Sequence, residues 1–359
     1  MKEKINSFML STIIFQINLA ILFGIINSYI LNTSNTSTII SLPLGFLISI
    51  ILSLIPLKLF NTKGNLFITE KNKIAYGKLS IVINIIYILT SLTLYILITY
   101  RLTSFLTSQY LIETNKVFLL IPTLLITYYM SNKGIEAITR LSQISFFICI
   151  SIFLFDAFGL LQHINFENYL PIINTSKTNI LKSTLMFSIF SSIPFTFINI
   201  TKKENLSDKN NFNKHYHLMH IISFMVISLA ILITLGVYGI HVVNLFDYPL
   251  YTVLKQISLF DFLESIENAS IILWPLSLIV SSSIILLFIF NILDNITNKS
   301  NQIKKIIPII SFLIPYIFLM NNTIIESFKY LIFPTIIVLI IQSVNLLTLI
   351  LLKIKTSQN

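Results

Sequence analysis

Charge is what this sequence has least of. Only 11% of its 359 residues are Asp, Glu, Lys or Arg, where soluble domains carry about 25%. A chain this poor in charge cannot coat a water-facing surface, so lipid is the natural solvent for most of it. That excludes the string of soluble domains its length would otherwise suggest. Cysteine is nearly absent too: the single Cys149 lies in an apolar run and has no partner in the chain, which excludes a disulfide scaffold. With eight glycines, the chain carries no Walker A loop and no dinucleotide fingerprint. It also has no Ser/His/Asp arrangement and no catalytic carboxylate pair, so nothing points to an enzyme or to a bound cofactor. Aromatic residues, at 13%, exclude a disordered polymer.

What the chain has is long apolar runs. Ten of them span, or nearly span, a hydrocarbon core of about 30 Å: 8–31, 38–57, 79–100, 117–131, 141–161, 180–200, 218–240, 271–293, 306–320 and 328–352. The first follows Met1-Lys2-Glu3-Lys4, but it is too long for a signal-peptide core and lacks a small-residue cleavage site, so it reads as a retained helix. The net charge of +10 then works as a topology signal. With the N-terminus inside, the cytoplasmic segments hold 18 Lys and Arg and the outer loops six, a positive-inside pattern that puts both termini in the cytoplasm. The expected fold is an all-α integral membrane protein of ten transmembrane helices, one membrane domain over 1–359.

A finer regularity divides that domain. Runs 4 and 9 are both short, and the long connections 58–78 and 241–270 follow runs 2 and 7. Both features recur at an offset of five, and an odd offset reverses orientation, as a five-plus-five inverted repeat requires. Repeat one covers 8–161 and repeat two 180–352. In the outer connection, Pro249 suits a first helical turn. Leu250, Val253, Leu254, Ile257, Phe260, Leu263 and Ile266 then recur at helical spacing, which predicts an amphipathic helix over 249–267, a packing cap or a gate.

Proteins of the inverted-repeat class bind solutes where the first helix of each repeat breaks near mid-membrane and frees backbone groups. In run 6, Ser191-Ser192-Ile193-Pro194 supplies the interruption, because Pro194 cannot donate to the residue four earlier. Run 1 carries Gln16 and Asn18 near its middle, followed by Gly24. Candidate substrate-binding residues are therefore Asn18, Leu19 and Ala20 with Ser191, Ser192 and Pro194. Asp156 follows Arg140 by sixteen residues, a rise of roughly 24 Å, which puts it at the outer interface. Glu136 and Arg140, four apart, suit an anchoring ion pair. His215, His217 and His220 read as solvated interfacial residues, since no Cys or ordered carboxylate completes a metal set. Trp274 fits an aromatic belt. Ser281, Ser282 and Ser283 either line a polar cavity or let helices approach closely.

Several stretches resemble a known family. Lys133-Gly134-Ile135-Glu136-Ala137-Ile138-Thr139-Arg140-Leu141-Ser142-Gln143 is similar to the segment before helix 5 in B-type subunits of bacterial spore germinant receptors. These belong to the spore permease branch of the amino acid–polyamine–organocation superfamily. Phe15-Gln16-Ile17, Asn61-Thr62-Lys63-Gly64, Tyr169-Leu170-Pro171 and the stretch from Glu264 to Trp274 match in the same order. The resemblance implies a five-plus-five inverted-repeat fold with a small-solute pocket between helices 1, 3, 6 and 8. It also implies a germinant-sensing role in the inner spore membrane beside an A-type membrane subunit and a C-type lipoprotein, with an amino acid, sometimes a sugar or nucleoside, as germinant. In two places the chain departs from the family. Helix 1 reads Ile17-Asn18-Leu19-Ala20-Ile21-Leu22 where the family has Ile-Gly-x-Gly-Ile-Leu and then a proline, and the helix 6 break has Ser191-Ser192 where the family keeps a glycine. Losing the helix 1 glycines narrows the room for unwound backbone and a ligand carboxylate.

Three readings follow. The first is a germinant-sensing subunit. The second is a proton-coupled amino-acid transporter, which needs an ionisable group near the site. The third is a structural assembly subunit with no ligand of its own.

Overall fold

The computed structural model describes residues 5–256, 273–297 and 329–357, with 303–304, 306–307, 309–310 and 312–314 between them. Among the described residues every regular element is a helix, and the only strand-like pairing is a single bridge between Ile5 and Leu206. In chain order these helices are α1 (Ser7–Asn18), a π-helical stretch (Leu19–Ile26), α2 (Asn27–Ser34), α3 (Thr38–Asn61), α4 (Ile68–Tyr76), α5 (Ser80–Gln109), α6 (Lys116–Asn132) and α7 (Ile135–Leu160). Then come α8 (Lys177–Ser192), α9 (Pro194–Phe197), α10 (Phe212–Val243), α11 (Pro249–Thr252), α12 (Leu273–Ile296) and α13 (Lys329–Ser357). Seven described helical stretches are long and apolar enough to cross a membrane, and Ser7–Leu22 is a shorter apolar helix.

The helices match most of the expected runs. The first run is realised as α1, the π stretch and α2 in series. The short fourth run is α6, 17 residues long, started by Asn115, whose side chain accepts from the Val117 N–H. The connection 58–78 contains α4. Its N-terminal turn is closed by Glu70, which accepts from the Phe67 N–H at 2.6 Å. Most of the short ninth run and the outer helix beyond Gln256 lie outside the described residues. The part of the outer segment that is described forms one helical turn, Pro249–Thr252, followed by a 3₁₀ turn to Gln256.

The bundle has two distinct ends. At one end the N-terminus, α4, the loop 201–211 and the C-terminus meet. Ile5 exchanges backbone bonds with Asn205 and Ser207, Lys202 pairs with Glu70 at 3.1 Å, and Lys355 donates to the Ile74 and Ala75 carbonyls. At the opposite end, Thr36 donates to the Pro171 carbonyl and Ser28 to that of Asp247. Between the ends, α3 packs extensively on α8, α1 on α10, and α5 on α12. Exposed Leu, Ile, Val and Phe side chains such as Ile51, Phe118, Leu125 and Phe158 cover the outside, as lipid contact requires.

Two glycines in α10 have structural reasons. A Cβ at Gly236 would stand 2.2 Å from the Tyr169 hydroxyl, and Gly239 has φ +66, which kinks the helix near its end. The space they leave lets Tyr169 donate to the Leu232 carbonyl at 3.0 Å and the Asn168 amide to that of Gly236 at 2.7 Å. These bonds hold the 3₁₀ turn Phe166–Tyr169 against α10.

Candidate functional site

The first helix does not unwind where the sequence predicts. From Leu19 to Ile26 it continues with wider, π-type winding, and the Asn27 N–H bonds back to the Leu22 carbonyl five residues earlier. The stretch 17–22 contains neither glycine nor proline, and backbone surrounded by apolar groups must satisfy its hydrogen bonds internally. The departure from α geometry therefore takes the form of a wide turn. Such turns rarely occur without a packing or functional reason.

A cavity opens beside the start of this wide turn. Its volume is about 70 Å³, on a scale where one water takes about 10–15 Å³, so it holds a few waters or a small solute. Four stripes build its wall, each at helical spacing. The first helix contributes Phe15 and Leu19, and α7 contributes Cys149, Phe153, Asp156, Ala157 and Leu160. Val226, Ala230, Ile233 and Thr234 come from α10, and Leu250, Tyr251, Val253 and Leu254 from the outer segment. Phe105 and Trp274 are the remaining lining residues among those described. The Phe105 ring meets Trp274 edge to face at 4.3 Å and Tyr251 at 5.4 Å. The Trp274 indole N–H points at the Ala20 carbonyl at 3.5 Å.

Two residues expected at the membrane interface sit in this wall. Asp156 is at the predicted end of its helix but is 5% exposed and faces the cavity. Trp274, expected in an aromatic belt, is also 5% exposed. Helical rise put Asp156 near the outer end of its helix, but which way the two side chains face depends on the outer segment packed against them. His220 needs a similar correction. It is 1% exposed, its Nε2 lies 3.0 Å from Ser49 Oγ and 3.2 Å from Ser191 Oγ, and the rings of Phe46 and Phe195 pack against it. Glu136 and Arg140 form the expected pair at 2.5 Å on an exposed face. Ser281, Ser282 and Ser283 are buried, and each donates to a carbonyl one turn back in α12, which lets neighbouring helices approach closely.

Of the six candidate binding residues, Leu19 lines the cavity and Ala20 is the acceptor facing Trp274. Asn18 is fully buried, and its side-chain amide makes no hydrogen bond among the described residues. The break in the sixth run is where the sequence predicts it: α8 ends at Ser192 and α9 begins at Pro194. Groups freed there are taken up inside the protein. Gln342 of α13 donates to the Ser192 carbonyl at 3.2 Å and to its hydroxyl at 3.1 Å, and Asn345 donates to Thr196 at 3.0 Å. Ser191, Ser192 and Pro194 do not line the cavity.

A second buried polar cluster fastens the first helix. Gln16 donates to Ser145 at 2.7 Å and accepts from Ser277 at 2.6 Å, which ties α1 to α7 and α12. At the N-terminus of α1, Asp208 accepts from the Ser7 N–H at 2.7 Å and the Ser7 hydroxyl at 2.6 Å, and His215 Nδ1 lies 2.6 Å from the same hydroxyl. Burial works against the Asp208 charge, but the two Ser7 donors outweigh it, with smaller help from its own N–H and from His215. The carboxyl is held below its usual range.

A sequence model of the spore germination protein family, the spore permeases, matches residues 4–327. A comparison with curated proteins gives no match.

Proposed function

The chain belongs to the spore germination protein family, and from that premise we propose that it is a germinant-sensing membrane subunit. A small solute, an amino acid by analogy with the family, binds in the bundle and shifts it between two conformations. An A-type membrane subunit and a C-type lipoprotein in the inner spore membrane read the shift. The solute can do this only if it binds one conformation better than the other. The observation that carries this reading is the small cavity beside the point where the first helix leaves α geometry, lined on one side by Leu250, Tyr251, Val253 and Leu254 of the outer segment. In this proposal Asn18, Leu19 and Ala20 form the solute-facing stretch. Ser191, Ser192 and Pro194 form the matching hinge in the second repeat.

The packing pattern supports the inverted repeat. Exchanging helices at an offset of five maps the pair of runs 1 and 7 onto 6 and 2, the pair 3 and 8 onto itself, and the pair 1 and 5 onto 6 and 10. All five of these pairings are packed interfaces: α1 on α10, α3 on α8, α5 on α12, and α1 on α7 matched by α8 on α13. The alternating convergence of loops at the two ends supports ten spans with both termini on the lysine-rich, cytoplasmic side.

The test is a germinant dose–response with spores carrying Leu19→Trp, Ala20→Leu or Ser192→Leu. We expect the dose–response of each variant to move to higher germinant concentration. Unchanged sensitivity in all three would remove the assignment.

One observation favours a second reading, proton-coupled solute transport: Asp156 is buried in the cavity wall, and intramembrane carboxylates serve as proton carriers in pumps and transporters. Uptake of labelled amino acid into proteoliposomes, abolished by a protonophore and by Asp156→Asn, is the outcome that reading requires.

A further inference from the structure

The connection between α7 and α8 exposes large apolar side chains outside any regular spanning helix. Phe166 is 78% exposed, Leu170 65% and Ile173 68%, with Leu161 and Ile172 exposed beside them. The segment is fastened at both ends. Asn165 and Asn168 bond to the Gly236 carbonyl and Tyr169 to that of Leu232. Further on, Thr36 donates to the Pro171 carbonyl and the Asn174 N–H to Ser37. Behind it, Ile164 packs against the buried cluster of Leu160, Ile233 and Val253. The fastening holds the apolar side chains outward.

Three observations say what covers them. The first is depth. Leu232 lies seven residues before the kink at Gly239, roughly 10 Å along the axis, so the segment is bonded to the flank of a membrane-spanning helix and not only to its end. The second is the backbone. The N–H groups of Ile164, Asn165, Glu167, Asn168 and Leu170 all donate within the protein, and Pro171 has none. Backbone that faces lipid has to be satisfied in this way, because no water is there to take its place. The third is continuity. Along the chain, exposed apolar residues run from Leu154, Phe155 and Phe158 of α7 through the segment to Leu181 and Leu185 of α8. Glu167, Lys177 and Lys182 are exposed on the same stretch, and charges of this kind stay at the water boundary and limit how deep the segment sinks.

We propose that residues 161–173 form an in-plane membrane anchor, with Phe166, Leu170 and Ile173 inserted among the lipid chains just below the headgroups of the adjacent leaflet. The partner of this surface is the bilayer itself, and the inference does not depend on which solute the protein binds.

Trp274 is the only tryptophan in the chain, so a single reporter can be moved at will. Phe166→Trp and, separately, Ile173→Trp are made in the full chain with Trp274→Phe. Each is placed in phosphatidylcholine–phosphatidylglycerol nanodiscs whose lipids carry bromine either near the headgroup end or near the tail end of one chain. In the same background, Asn210→Trp in the exposed loop 201–211 gives the water reference, and Leu125→Trp on the exposed face of α6 gives the lipid reference. We expect both reporters to be quenched at least twofold more by the shallow bromine than by the deep one, and at least threefold less by iodide than the water reference.

Iodide quenching equal to that of Asn210→Trp, without bromine quenching, would mean a water-facing surface open to a soluble partner, and would overturn the proposal. So would stronger quenching by the deep bromine, which would put the segment in the hydrocarbon core. Quenching by neither would mean that protein covers the surface, and would overturn it too. If the tryptophan variants fail to fold, a nitroxide on Phe166→Cys in a Cys149→Ala background answers the same question. Its relaxation should respond more to oxygen than to a water-soluble nickel chelate, and the opposite order would overturn the proposal.

Discussion

Lys71 is 2% exposed and sits on α4, off the apolar core of the bundle. It donates to the Leu59 and Phe60 carbonyls at 2.6 and 3.2 Å and so caps the end of α3. Burial pulls its pKa down from 10.5 to about 7. In the unfolded chain the amine stays charged up to its ordinary value, so between the two values the unfolded state binds the extra proton and stability rises with pH. The predicted signature is a thermal stability that climbs from pH 7 to pH 10, by up to roughly 3–4 kcal/mol from this group, with the two carbonyl acceptors reducing the gain. Lys71→Met should flatten that part of the curve, which thermal unfolding of both proteins across the range would check. At this scale the sequence showed only a lysine in the long connection after the second run. Its burial follows from how α4 folds back under α3, which local pattern does not encode.

Gln16 and Gln342 make the same kind of contact at two helix junctions. Gln16 joins the first helix to Ser145 of α7, and Gln342 of α13 joins Ser192 at the broken helix. Gln16→Leu should remove the bonds to Ser145 and Ser277 and lower the unfolding temperature. The cost should be about 0.6–1.7 kcal/mol, the range of hydrogen bonds between membrane helices. Gly236→Ala tests a different element contact. The added methyl would displace Tyr169 and its bond to Leu232, and we expect a loss of about 1–3 kcal/mol in thermal or denaturant unfolding. Tyr169→Phe in the same chain removes the hydroxyl that collides and should recover part of that loss. Among the elements, the helices themselves and the interruption at Pro194 were readable from hydropathy and one imino acid. The wide turn at Leu19–Ile26 was not, because no residue type marks the difference between i→i+4 and i→i+5 bonding.

At the scale of the whole molecule, the Ile5–Leu206 bridge and the bonds from Ser7 to Asp208 fasten the start of the first helix to the loop after the sixth run. Asp208, with its carboxyl held below the ordinary 3.8, contributes stability that is present above that value and is lost as pH falls further. Asp208→Asn should loosen this fastening at neutral pH. The readout is labelling of Ser11→Cys in a Cys149→Ala background by a water-soluble maleimide, which should speed up severalfold relative to the same chain with Asp208. An unchanged rate would mean that the Ile5–Leu206 bridge alone holds the helix.

The sequence by itself determined the solvent of this protein, the positions of most of its helices and the break before Pro194. Composition and hydropathy are properties of local segments, and the bilayer imposes one length on all of them. The tertiary structure decided what no segment carries alone. It turned Asp156 and Trp274 inward, buried His220 between Ser49 and Ser191, and closed the groups freed at Ser192 with Gln342. Each of those outcomes depends on which face of one helix meets a residue more than a hundred positions away, or on a neighbouring helix covering it. Periodicity can predict that a face is buried, but only packing selects the residue it is buried against.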